Sequence, residues 1–478
     1  MRKLLLTLLI SFASLAPAQT WQPLTNQPSF AAGTALLLTD GTVIVQALTT
    51  GGVGTRAWWK LTPDSSGSYV NGTWSEIAPL PAGYGPLYFA SAVLPSGHVV
   101  VNGGEYNLST NQSETNLGAI YNPVTNKWRK LAAPKGWSQI GDAQSVVLAD
   151  GSYMLGNCCN SAQAILDAKT LTWTITGKGK ADANSEEGWT LLPDGSVLTV
   201  DVLDAPNTER YLPSSGTWST AGKTPANLSE YTEMGPAVLR PDGTVFATGA
   251  SGHTAIYTPG AGGAAGKWTA GPTFPTIGAK QIDIADGPGA LLPNGDVLVA
   301  ASPQNYKTPL YFYEFDGTNL NSVPSTSDAA NDSSYQGRML VLPTGQILFT
   351  DSTRSVEIFT GAGSPNPAWA PSISSAPSTV THGKAYEISG VLFNGMSQGA
   401  VYGDDAQSAT NYPLVRITIT SSGHVFYCRT YNHSSMAVAS AATVSTHFHV
   451  PATIETGAGE LVVVANGIAS MPVAVTVN

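Results

Sequence analysis

The sequence predicts an all-β protein, a seven-bladed β-propeller followed by an immunoglobulin-like β-sandwich, and three observations predict it. Only 11% of the 478 residues are charged while 42% are hydrophobic, and there are 50 glycines and 32 prolines. So little charge excludes disorder, coiled coils and helical solenoids, and so many turn formers favour short strands. A phrase made of an apolar run, a glycine turn and a second apolar run recurs seven times. Near Ser372 the phrase stops and a different strand alternation takes over.

Ahead of the repeats, Arg2 and Lys3 precede an apolar run from Leu4 to Leu15, and Ala16-Pro17-Ala18 supplies small residues at a cleavage site. Residues 1–18 are therefore expected to be a signal peptide cleaved after Ala18, which directs the chain to the periplasm or the exterior. The run is too short to span a membrane, and no later run reaches 18 apolar residues. Lys and Arg number 22 against 32 Asp and Glu, with no basic cluster. Nucleic acid and anionic membrane are therefore poor partners, and a monomer is expected.

The repeated phrase runs from ALLLTDGTVIVQ to LVLPTGQILFTD, with turn glycines at Gly41, Gly97, Gly151, Gly195, Gly243, Gly295 and Gly345. They stand 44 to 56 residues apart, about 51 on average. Asp-Gly or Asn-Gly between β-rich runs signals a hairpin, here expected as type I′. A third strand follows most phrases, and a tryptophan opens a fourth: Trp74, Trp128, Trp173, Trp218, Trp268 and Trp369, with Leu320 in the sixth repeat. Four strands per unit of this length give a kelch-type propeller over residues 19–371. Trp21 opens a similar phrase and competes with Trp369 to complete the last blade. Over residues 372–478, KAYEISG, LVRITIT, HVFYCRT, ELVVVANG and PVAVTV alternate as strands of a sandwich.

Residues just before each first strand and just after each second strand lie on one face near the propeller axis, because the hairpin returns the chain there. Counting back nine or ten residues from the turn glycines gives Tyr88, Asp142, Glu186, Glu233, Asp286 and Tyr335, with Gln336 next to the last. Glu187 and Asp283 stand close by, and the loops after the second strands add Cys158, Cys159, Asp201, His253 and Tyr306. Few basic residues are available to pair with these acids, Arg338 and Arg354 being nearest in sequence. Crowded carboxylates raise each other's pKa or recruit a cation, and calcium suits an oxygen-only cage. Beside tyrosines they can also hold a carbohydrate or related polyol, or act as general acid and base. Cys158 and Cys159 form a vicinal disulfide that stacks on a ring, bind a soft metal with His253 or His433, or simply fill a strand end; Cys428 is left over. His447 and His449 alternate along a strand and read as one sandwich face.

A kelch propeller followed by an immunoglobulin-like domain resembles the galactose oxidase and glyoxal oxidase family of copper-radical enzymes, and GELVVVANGIASMPV looks like that family's closing strands. Exported bacterial kelch-repeat proteins are similar as well. The resemblance implies copper on the axis, held by two tyrosines and two histidines, with one tyrosine cross-linked to a cysteine. Tyr88 matches the radical tyrosine, Tyr335 the axial tyrosine, and Tyr106 the aromatic that stacks on the cross-link. His433, in RTYNHSSM, matches the histidine on a hairpin that pierces the channel. The chain departs from the pattern in two places: Gln336 stands where the other ligand histidine belongs, and Ala32 stands in the cysteine's slot. The leading expectation is a module that binds, and in one version processes, a carbohydrate or polyol at the axial mouth. The alternatives are a copper oxidase of alcohols or aldehydes with an altered ligand set, and a non-catalytic envelope scaffold.

Overall fold

In the computed structural model, residues 19–261, 264–304, 306–405 and 407–478 are described; the expected signal peptide lies outside them. Six four-stranded antiparallel sheets form blades of a β-propeller. The first runs Ala31–Leu37, Val43–Leu48, Gly54–Thr62, Thr73–Ile77, and the same succession recurs in Gly289–Leu291, Val297–Pro303, Tyr311–Phe315 and Leu320–Val323 within a larger sheet. Among the described residues there is no α-helix, and no helix is long and apolar enough to cross a membrane.

Each inner hairpin turns on its predicted glycine. All seven glycines take φ between 76° and 94°, whereas the residue before each is absent from the left-handed region. The turns are therefore not type I′. They fit a type I turn that ends in a left-handed glycine, in which Asp tolerates the right-handed position and uses its side chain instead. Asp40 accepts from the Thr42 amide at 3.0 Å, and Asp150, Asp194 and Asp242 repeat the contact.

Several of the tryptophans tie a blade to the one before. Trp74 Nε1 donates to the Asn26 carbonyl, Trp173 Nε1 to Ala132, and Trp268 Nε1 to the Thr208 hydroxyl. Trp21 belongs to this series. Its Nε1 donates to the Pro324 carbonyl at 2.7 Å, and its strand, Thr20–Pro23, pairs antiparallel with Val356–Thr360. The N-terminal strand thus closes the ring, while Trp369 sits in a short turn against Gly295.

The C-terminal strands form one nine-stranded sheet that curls around Ile388, Val415, Ile417, Phe448, Leu461, Val463 and the free Cys428, all buried. This domain rests on the turn face of the propeller: Thr430 donates its amide to Thr39, His433 to Pro95, and Met436 to Ala149. From it a largely irregular axial segment, residues 394–405 and 407–412 as described, runs along the inner strands of the blades. Tyr412 and Ser408 donate to the Leu37 and Ala35 carbonyls, Gln398 accepts from the Leu191 amide, and Ala400–Val401 pairs with Gly289–Leu291.

Candidate functional site at the axial mouth

Opposite the turn face, a cavity of about 470 Å³ is lined by Tyr88, Glu105, Tyr106, Asp142, Glu186, Glu233, Asp286, Tyr306, Lys307, Tyr335 and Tyr402. Six of these come from the counting of turn offsets, each standing just before a first strand or its equivalent. Three of the six are non-glycine residues with left-handed backbone: Tyr88 (φ 51°), Glu186 (56°) and Asp286 (56°). Each such residue costs on the order of 1 kcal/mol, and the repetition at equivalent positions marks the mouth as a place where strain is retained.

The tyrosines form a connected wall. Tyr88 meets Tyr106 edge-on at 6.1 Å between centroids, and Tyr306 meets Tyr335 at 5.3 Å. Tyr402, from the axial segment, donates its hydroxyl to the Tyr335 carbonyl at 2.9 Å. The Arg338 guanidinium lies 3.8 Å from the Tyr402 ring centre and 5.5 Å from that of Tyr88, and donates to the Tyr335 and Gly337 carbonyls. Burial pushes the Tyr88 phenol well above its ordinary pKa, with Arg338 opposing.

The carboxylates fall into two triads, Glu186–Glu233–Asp286 and Asp142–Asp404–Asp405, each with oxygens within 4.8 Å of one another. Asp404 and Asp405 arrive on the axial segment. Desolvation raises Asp142, Glu186 and Asp286 well above the usual carboxylate range, and the neighbouring acids add to it. Glu233 is pushed up to about 7, as is Glu105, burial being the first cause in both.

Other expected residues lie elsewhere. His433 sits on the turn face, buried, its Nδ1 2.8 Å from the Thr446 hydroxyl and its ring parallel to Tyr412. It follows the strand Val425–Tyr431, which ends against Pro95 rather than in the channel, so it is not the axial imidazole the resemblance implied. The Gln336 side chain accepts from the Ser333 amide within its own 3-10 turn; it lines a second groove of about 520 Å³ that shares Tyr88, Tyr106 and Tyr335 with the acidic cavity. His253 is exposed on a loop beside Thr273. Cys158 and Cys159 form a vicinal disulfide that flanks the cavity without lining it; Cys158 Sγ lies 3.5 Å from Glu114, whose carboxylate accepts from the Asp142 amide. Sequence reading missed Glu105, Glu114, Tyr402, Asp404 and Asp405. The last three sit in the long stretch between predicted strands Lys384–Gly390 and Leu414–Thr420, and a connection of that length inside a domain is itself a functional signal.

Burial lowers the His433 pKa to about 3. The unfolded chain takes up this proton near pH 6.5 while the folded one does not, so the associated stability is complete above that pH and is lost as pH falls toward 3. Replacing His433 by Gln should flatten this acid limb relative to wild type, by a few kcal/mol at pH 4, as read from urea unfolding at pH 4 and pH 7. An unchanged limb would place the buried ring's proton elsewhere.

No family model matches the chain. It is 30% identical over 130 residues to Kelch-like protein terF of Aspergillus terreus; the match covers 26% of this chain and 26% of that relative. In structure it is similar to a fungal alcohol oxidase of the AA5 family solved in complex with copper, with a TM-score of 0.56, 14% identity, and coverage of 97% of this chain and 100% of that one. These findings show a fold shared with that oxidase and a kelch-like stretch of sequence, the chain spanning about a quarter of the length of the curated relative it matches.

The donors present do not fit the copper-radical centre that the resemblance implied. The mouth offers phenols and carboxylates, with no imidazole among its lining residues. The two cysteines of the propeller are bonded to each other, and Ala32 is fully buried within its strand. An all-oxygen set is a poor match for copper, which favours imidazole and thiolate.

Proposed function

We propose that the axial mouth binds a carbohydrate or related polyol, on a seven-bladed kelch propeller (residues 19–371) of an exported protein whose residues 372–478 form an immunoglobulin-like domain. The blade count is supported by the six four-stranded sheets together with the Gly289–Val323 meander, which repeats their strand order. The export reading rests on the charged, apolar and small-residue pattern of residues 1–18.

One observation carries the ligand reading: five tyrosines and five carboxyl groups line a single open cavity. Ring faces pack against the C–H face of a sugar, and carboxyl groups whose pKa lies near 7 both donate to and accept from hydroxyls at neutral pH. The test is calorimetry or glycan-array binding with neutral saccharides. Tyr88→Ala and Tyr106→Ala should each weaken binding about tenfold or more with little change in thermal midpoint. Unchanged binding in both variants, or no saccharide bound by wild type, would overturn the reading.

A further inference from the structure

Beside the cavity lies a compact group of three aspartates, of which Asp142 also lines it. Asp142, Asp404 and Asp405 bring one oxygen each within 4.8 Å of the others. Two oxygens bound to one calcium ion lie at most about twice its 2.3–2.6 Å bond length apart, roughly 5 Å, so the triad already has the span of a calcium ligand set. Asp404 is 2% exposed, and its Oδ2 has no hydrogen-bond partner among the described residues; Asp142 Oδ1 is likewise buried and without one. A buried carboxylate oxygen with no donor is costly, and a bound cation removes that cost.

Among the described residues, no Lys or Arg side chain forms an ion pair with Asp142 or Asp404. The Arg338 head is engaged by two backbone carbonyls and two tyrosine rings, though its charge is felt by Asp405 and Asp286. Lys180 is enclosed by its own four carboxylates, and Lys307 is exposed at the rim. The second triad, Glu186–Glu233–Asp286, adjoins the first, since Asp404 acts on all three of its members.

We infer that Asp142, Asp404 and Asp405 hold a hard divalent cation of the calcium class on the propeller axis, where the C-terminal axial segment meets the third blade. Two of its three ligands come from a segment that must thread the channel first, so the ion fastens that segment to the ring. Oxygen ligands only, from a segment of irregular backbone, suit calcium's variable coordination better than the strict octahedron of magnesium. The inference is independent of the polyol reading, because a cation can be measured with no saccharide present.

The experiment uses the full chain freed of metal with a chelator, to which calcium chloride alone is added at pH 7.5. Calcium should raise the thermal midpoint by several degrees and titrate calorimetrically as one site. Asp404→Asn should weaken calcium binding about a hundredfold, while Glu76→Gln, on an exposed outer strand, should leave it unchanged. Terbium luminescence sensitised by the mouth tyrosines reports on site occupancy separately from stability. Absence of calcium heat and of a midpoint shift in wild type overturns the inference, as does full binding by Asp404→Asn. If Asp404→Asn is more stable than wild type while neither protein responds to calcium, protons rather than a metal neutralise the triad, and the inference fails.

Discussion

Replacing Lys180 by methionine should destabilise the protein by about 3–5 kcal/mol at pH 8, and by visibly less at pH 5. The ammonium group is fully buried between Asp182 at 2.5 Å, Glu209 at 2.7 Å, Glu187 at 3.1 Å and Asp201 at 3.7 Å. Burial alone would pull its pKa down, but Glu187, Asp201 and Asp182 more than reverse that, and the net shift is upward. Its own protonation is therefore complete at any pH below about 10 and is lost only in strong alkali. The carboxyl groups run the other way. Desolvation raises Glu187, and it lifts Asp201 to about 8 even with the lysine present. Without the cation these acids must stay protonated or ionise unpaired, and the penalty grows as pH rises from their unfolded values near 4. Thermal midpoints of wild type and Lys180→Met at pH 5 and pH 8 test this. A loss equal at both pH values would mean that packing, not charge, is what the lysine supplies. Adding Glu187→Gln should restore part of the loss, since contacting residues do not act additively.

A single methyl group at Gly188 should be nearly as damaging. Its backbone is not in the left-handed region, so alanine is conformationally acceptable there. The obstacle is space: a Cβ would collide with the Gly403 carbonyl oxygen of the axial segment, backbone against backbone. Neither side yields by rotating a side chain, so the segment must shift. We expect a loss of about 3 kcal/mol, protease sensitivity confined to residues 399–412, and weakened ligand binding at the mouth, because Gly403 immediately precedes Asp404 and Asp405. Gly51→Ala, with nothing closer than 3.9 Å, should be silent. A Gly188→Ala protein with a normal midpoint and an intact segment would show that the channel is looser than its contacts imply.

Much of this molecule could be read from the chain because its information is periodic. A left-handed glycine is required at every inner hairpin, and fixed offsets from it carried Tyr88, Asp142, Glu186, Glu233, Asp286 and Tyr335 to one cavity. The tryptophans could be counted for the same reason, and Trp21 against Trp369 was decided by pairing that no local pattern encodes. What escaped lay outside the repeat. Asp404 and Asp405 sit on irregular backbone whose path is set by contacts with inner strands distant in sequence, such as Ala35 and Leu191. His433 misled for the complementary reason: a resemblance in local sequence placed it in the channel, whereas its strand ends on the opposite face. The type of the hairpin turn was misread because asparagine and aspartate are common in both turn classes, and only the backbone angle before the glycine separates them.

The pairing of Thr20–Pro23 with Val356–Thr360 has a consequence for how the chain matures. The strand that leads the described chain waits, unpartnered, until more than three hundred further residues have been made and folded. In that interval Val356–Thr360's future neighbour is loose chain, and any product that terminates early keeps an open sheet edge able to recruit another molecule. The seam therefore works as a completeness check, and truncated molecules are the ones most exposed to clumping.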